Sequence, residues 1–111
     1  MEPVERQLEY YHTRDGRIPF LEWQGALKDM KIQKILDIRL YRVRAGNFGY
    51  CKPVGEGVLE LKIDYGPGYR IYFGLSGPRV VLLLTGGDKS NQRKDILEAK
   101  AYWHDCKTRG Q

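Results

Sequence analysis

The sequence predicts an α+β domain: a small, mostly antiparallel sheet with an N-terminal helical hairpin and a C-terminal helix, in the order β-α-α-β-β-β-α. Three observations predict it. Two apolar patterns of helical period follow one another between residues 19 and 46, the period switches to two from Leu59, and a last helical pattern begins near Asn91. A chain of 111 residues has room for one core, so residues 1–111 are expected to form a single domain.

Each element has its own signal. Val4 to Thr13, "VERQLEYYHT", has β-compatible residues, and the "RDGR" after it carries an Asp-Gly turn. Pro19 suits the first turn of a helix, "PFLEWQGALKDM", which aligns Phe20, Trp23, Leu27 and Met30 on one face. A second helix, "KIQKILDIRLYRVRAG", turns Ile32, Ile35, Leu36, Leu40 and Val43 inward and ends at Gly46. The link between them is short, which predicts an antiparallel hairpin. The outer face of the second helix carries Lys31, Lys34, Arg39, Arg42 and Arg44. Residues 47–57, "NFGYCKPVGEG", read as a turn-rich connection.

Beyond it, Leu59, Leu61 and Ile63 alternate with Glu60, Lys62 and Asp64, a strand with one face in the core. "DYGPGYR" turns the chain into a partner strand in which Tyr69, Ile71 and Phe73 alternate with Arg70 and Tyr72. Lys62, Arg70 and Tyr72 are then expected together on the opposite, open face. "RVVLLLT" is apolar without alternation and reads as the middle of the sheet. In the last helix Ile96, Ala99, Trp103 and Cys106 form one stripe, with Ser90 or Asn91 as its cap.

Charge narrows the function classes. Nineteen Lys and Arg against fourteen Asp and Glu give a formal charge of +5, which favours a polyanionic or strongly acidic partner. No apolar run approaches a membrane span and the first residues lack a signal-peptide core, so a cytoplasmic protein with no membrane partner is expected. Cys51 and Cys106 form no disulfide framework or C-x-x-C motif and read as buried or idle thiols. His104 and Cys106 are too thin a pair for metal binding; no metal and no cofactor are expected. His12 and His104 join no nucleophile or carboxylate pattern, and His104 suits the carboxyl end of its helix.

The stretch "GGDKSNQRKDI", Gly86 to Ile96, has seven charged or amide side chains among the eight residues Asp88 to Asp95. Glycines and free amides at a helix start favour an anion, and Lys89, Arg93 and Lys94 add positive charge. It is not the P-loop pattern. Lys62 and Arg70 bring cations, and Tyr72 a phenol able to stack on a base, towards the same surface, an arrangement suited to RNA.

Residues 60–103 resemble the carboxyl half of the RelE/ParE superfamily of bacterial type II toxins, closest to its HigB-like "addiction module killer protein" branch. The resemblance rests on G-Y-R-[IV]-Y-F at Gly68 to Phe73 and G-G-D-K-S-x-Q-x-x-D-I at Gly86 to Ile96; the first half matches by pattern, including P-F-x-x-W at Pro19 to Trp23. It implies a RelE/ParE-like fold and an endoribonuclease that cleaves mRNA in the ribosomal A site. It also implies an antitoxin partner, a small HigA-like helix-turn-helix protein. Carried over by motif, Arg70 is the phosphate-contacting cation, followed by Lys89 and, at a basic strand position, Lys62; around these, Arg93, Tyr72 and Lys94 are placed in support as RNA contacts, with Tyr72, Arg93 or His104 as substitutes for the family groups that are missing. A tyrosine and an arginine found in some ribosome-dependent members fall here at Ile96 and Ser90. The superfamily also contains gyrase inhibitors of the ParE type, and an inactive antitoxin-binding domain is a third alternative.

Overall fold

The computed structural model describes residues 5–110, so Val4, expected to open the first strand, lies outside the described residues. The elements run β1 (Gln7–Tyr10), α1 (Pro19–Ala26), α2 (Met30–Arg44), β2 (Cys51–Gly55), β3 (Val58–Ile63), β4 (Tyr69–Ser76), β5 (Val80–Asp88), a 3-10 turn (Lys89–Asn91) and α3 (Gln92–Thr108). The sheet order is β1-β5-β4-β3-β2. The β1–β5 pairing is parallel and the other three are antiparallel, making a mixed sheet.

Alternation along the strands builds two cores. Leu61, Ile63, Ile71, Phe73, Val81 and Leu83 pack with Phe20 of α1 and Ile32, Leu36 and Val43 of α2. Val58, Tyr72, Leu82 and Leu84 face the other way and pack with Ala99, Trp103 and Cys106 of α3. The sheet is therefore covered on both faces, by α1 and α2 on one and α3 on the other. This corrects the expectation that Lys62, Arg70 and Tyr72 share a wholly open face.

Four other expectations change. Residues 51–55, expected within a turn-rich connection, form an edge strand paired with β3. Pro53 is tolerated there because an edge strand has one side without ladder partners. The first helix ends at Ala26 instead of reaching Met30; Asp29 caps α2, accepting from the Lys31 amide at 2.8 Å, and Met30 is 75% exposed. The link is tied by the Gln33 amide, which donates to the carbonyls of Gln24 and Leu27, while α1 packs on β5 and α2 feeds the same core, so the sheet, and not the expected packing of one helix on the other, holds the two. The apolar strand β5 is interior, but β4 occupies the middle. Leu84 is an extra residue in β5: Tyr72 pairs with Thr85 and Phe73 with Leu83, a bulge that turns Leu84 into the α3-side core.

Gly86 and Gly87 belong to β5 and do not make a turn. A Cβ on Gly86 would lie 2.2 Å from the Trp23 indole, and one on Gly87 would lie 1.9 Å from Asp95 Oδ2. The two glycines thus admit α1 on one face and α3 on the other.

Candidate functional site

Strand register arranges the α3-side face in rows. In one row Lys52 stands opposite Glu60, Glu60 opposite Tyr72 and Tyr72 opposite Thr85. In the next, Lys62 stands opposite Arg70 and Arg70 opposite Gly87. The Lys62 amide donates to the Tyr50 carbonyl at 3.1 Å, which continues the β2–β3 ladder and adds Tyr50 at the outer edge of that row. The sequence of the second row is therefore Tyr50, Lys62, Arg70, Gly87. It lies at the end of the sheet where α3 begins.

Glu60 anchors the first row. It is 1% exposed, and its Oε2 accepts from the Tyr72 hydroxyl at 3.0 Å and from Gln92 Nε2 at 2.9 Å. Arg70 Nε lies 3.8 Å from the same oxygen, and Lys52 Nζ lies 4.0 Å from Oε1. One carboxylate thus joins β3, β4 and the first turn of α3. Burial, and then the Glu60 charge, raise the Tyr72 phenol far above its ordinary range, so it remains a donor.

Arg70 is 6% exposed, its Nη1 donates to the Gly68 carbonyl at 2.8 Å, and its buried Nε has no hydrogen-bond partner among the described residues. Gly68, at a φ of 84°, brings the two cationic segments together: its missing Cβ would lie 3.3 Å from Arg70 Nη1 and 3.9 Å from Lys89 Cβ. Lys89 is exposed in the 3-10 turn, and Arg93 and Lys94 are exposed on the first turn of α3. Lys62 is half-buried. The structure therefore brings Lys62, Arg70 and Lys89 to one end of the sheet, with Arg93 and Lys94 further along the helix.

Tyr72 does not join that surface. It is fully buried under α3 and bound to Glu60, so its expected role as a base-stacking ring is corrected. The expected anion corner at the helix start is corrected too. The Asp88 carboxylate accepts from the Ser90 amide at 2.8 Å, and Asp95 lies over Gly87. Neither Ser90 nor Asn91 provides a side-chain cap to α3. Burial raises the Asp95 carboxyl above the usual carboxylate range, assisted by Glu98 and Asp88 and opposed by Lys94.

Beneath the row, Arg39 Nη1 donates to the Lys62 carbonyl at 3.1 Å, and its Nη2 closes under Gly49. Burial first and Arg42 second lower its pKa. Expected on an outer basic surface, Arg39 in fact braces the sheet edge that holds Tyr50 and Lys62. His12 and His104 are exposed elsewhere, and the two cysteines lie in separate cores. Among the described residues no group of three or more His, Cys, Asp or Glu side chains is placed to hold a metal ion, and no helix is long and apolar enough to cross a membrane.

The chain is similar to an uncharacterized protein of Haemophilus influenzae, with 43% identity over 83 residues that cover 75% of this chain and 84% of that one. It belongs to the same family. No protein-family model matches the chain.

The residues that sequence reasoning passed over are Glu60, Gln92, Asp95 and Tyr50. Glu60 could have been found from strand pairing, because an acid directly opposite Tyr72 and one pair from Arg70 is a buried partner once that face is covered. Tyr50 carried no signal inside a segment read as a turn.

Proposed function

We propose that this chain is the toxin of a type II toxin–antitoxin pair, a RelE/ParE-like fold of the HigB-like branch, acting as an endoribonuclease on mRNA in the ribosomal A site. The observation that carries the reading is the cationic end of the sheet, where Lys62 and Arg70 are cross-strand neighbours and Lys89 follows two residues after Arg70's other partner, Gly87. In the reaction the ribose 2′-hydroxyl gives its proton to solvent and its oxygen attacks the adjacent phosphorus, the bond to O5′ breaks, O5′ takes up a proton from solvent, and a 2′,3′-cyclic phosphate and a 5′-hydroxyl remain. Negative charge grows on the phosphoryl oxygens, where Arg70 and Lys62 stabilise it. Lys89 supplies a compact cation beside the leaving oxygen, and Arg93 and Lys94 meet phosphates further along the strand. Tyr72 acts from inside by holding Glu60 in place. The antitoxin, a HigA-like helix-turn-helix protein, neutralises the toxin in the cytoplasm.

The test is toeprinting of mRNA on programmed ribosomes with wild type, Arg70→Ala and Lys89→Ala. New A-site cleavages that fall about 10²-fold or more in either variant are the expected result. Lys89 is exposed, so its variant separates loss of a contact from loss of the fold. Intact mRNA from a wild-type preparation that still arrests growth would overturn the nuclease reading and favour inhibition of gyrase.

A further inference from the structure

At the outer edge of the cation row, Tyr50, Lys62 and Asp64 line a cleft of about 380 Å³. Tyr50 is 64% exposed. It is fixed from two sides: its carbonyl accepts from the Lys62 amide, and Gly49 before it, at a φ of 65°, rests on Arg39. Arg39 also holds the Lys62 carbonyl, so one half-buried guanidinium sets both walls of the cleft. An exposed ring on a fixed backbone is a preformed stacking surface.

We propose that this cleft binds an RNA base next to the phosphate held by Lys62 and Arg70, and that it selects guanine. The inference rests on the nuclease reading for its phosphate site. Neighbouring strands lie about 4.8 Å apart, so a phosphate between Lys62 and Arg70 leaves its nucleoside about one strand spacing from Tyr50. Tyr50 stacks on the base, and every base has a face to offer. Selection comes from Asp64, whose carboxylate only accepts hydrogen bonds. Guanine presents two adjacent donors, N1–H and the 2-amino group, which match the two carboxylate oxygens. Adenine and cytosine each offer one amino group beside an acceptor, and uracil offers one N–H between two carbonyls. The acceptors facing Asp64 make those three bases poorer partners.

The experiment titrates 15N-labelled protein with four 2′-O-methyl trinucleotides that differ only in the central base and cannot be cleaved through the blocked 2′-oxygen. The guanine trinucleotide is expected to shift the amide resonances of Tyr50, Lys62 and Asp64 and to bind about tenfold tighter than the other three. Tyr50→Leu weakens all four by about tenfold. Asp64→Asn removes the preference for guanine, because its amide presents one donor and one acceptor where the carboxylate presented two acceptors. Equal binding of all four bases to wild type, or shifts confined to Arg93 and Lys94, overturns the proposal. No ribosome is present, so a protein that selects guanine here but leaves mRNA intact in the toeprint keeps the base site and loses the nuclease.

Discussion

Glu60 is the residue on which fold and site depend together, and its removal has a size that follows from its contacts. Its carboxylate is 1% exposed, accepts two hydrogen bonds from Tyr72 and Gln92, and is the nearest anion to Arg70 Nε at 3.8 Å. In Glu60→Ala the buried Tyr72 hydroxyl loses its acceptor, which costs about 1–3 kcal/mol. Arg70, nearly as buried, loses its counter-ion, and breaking a buried pair costs about 3–5 kcal/mol. Both losses arise from one carboxylate, so they overlap, and about 3–5 kcal/mol is expected in total. That is a large share of the ~5–15 kcal/mol available to a domain, and at about 4 °C per kcal/mol it lowers Tm by roughly 12–20 °C. Glu60→Gln keeps an acceptor for Tyr72 but still takes the counter-ion from Arg70, so its cost falls at the lower end of that range, about 3 kcal/mol. The assay is urea unfolding followed by the fluorescence of Trp23 and Trp103, with Tyr72→Phe added to each variant. Once Glu60 is alanine, Tyr72→Phe removes an orphaned hydroxyl, so the pair costs less than the sum of its parts. Strict additivity, or a Glu60→Gln protein as stable as wild type, would refute the reasoning.

A strand glycine and a helical one respond oppositely to the same change. Gly86→Ala drives a methyl into Trp23 and costs about 1–3 kcal/mol, whereas Gly25→Ala, with open space around its Cβ in α1, stabilises by about 0.5–1 kcal/mol; thermal melts of the two variants check both signs. Tyr11 makes stability fall in alkali. Burial, reinforced by its hydrogen bond to the Asp105 carboxylate, raises its pKa from the ordinary 10.0 to about 12, so between those values the unfolded chain loses a proton that the folded one keeps. Its contribution is complete below pH 10 and declines towards pH 12; Tm measured across this window should fall more steeply for wild type than for Tyr11→Phe, and parallel curves would remove Tyr11 from the account.

Where a local rule decides a structure, the sequence was enough. The alternation at Leu59, Leu61 and Ile63 and at Ile71 and Phe73 places those residues in the core, and the stripe through Ile32, Leu36 and Val43 does so for α2. Period two says which side of a strand is apolar, but nothing about what covers the other side. That is why Tyr72 reads as exposed and is buried: α3 needs a surface for Ala99, Trp103 and Cys106, and the back of the sheet is where it finds one. The same gap hides Glu60, since an acid at an alternate strand position looks solvated until its partners are known. The segment around β2 fails for another reason. Its proline and glycines are turn signals in an isolated strand, whereas here Pro53 sits on an edge and Gly55, Glu56 and Gly57, all at positive φ, turn the chain back into β3. Gly86 and Gly87 mislead in the same way, being small for the sake of Trp23 and Asp95 and not for a turn.

The position of the cation row follows from how α3 settles. Trp103 lies against Gly74, where a Cβ would come within 2.5 Å of the indole, and against Gly57 at 2.6 Å, so the helix comes close to the sheet at that end. Gln92, at its start, reaches only as far as Glu60, and the 3-10 turn before it returns the chain to the end of β5. The Tyr50–Lys62–Arg70 row is the next one out, beyond the first turn of α3, and Lys89 must come down beside it because the link from β5 to the helix is only three residues long. Two neighbouring cations on paired strands repel. Here Glu60 holds Arg70 from beneath, and Asp88 and Asp95 stand on the adjoining strand end and helix turn, so the repulsion is tempered from within. The buried Arg70 Nε, without a hydrogen-bond partner among the described residues and 3.8 Å from Glu60, is the part that this internal compensation does not reach.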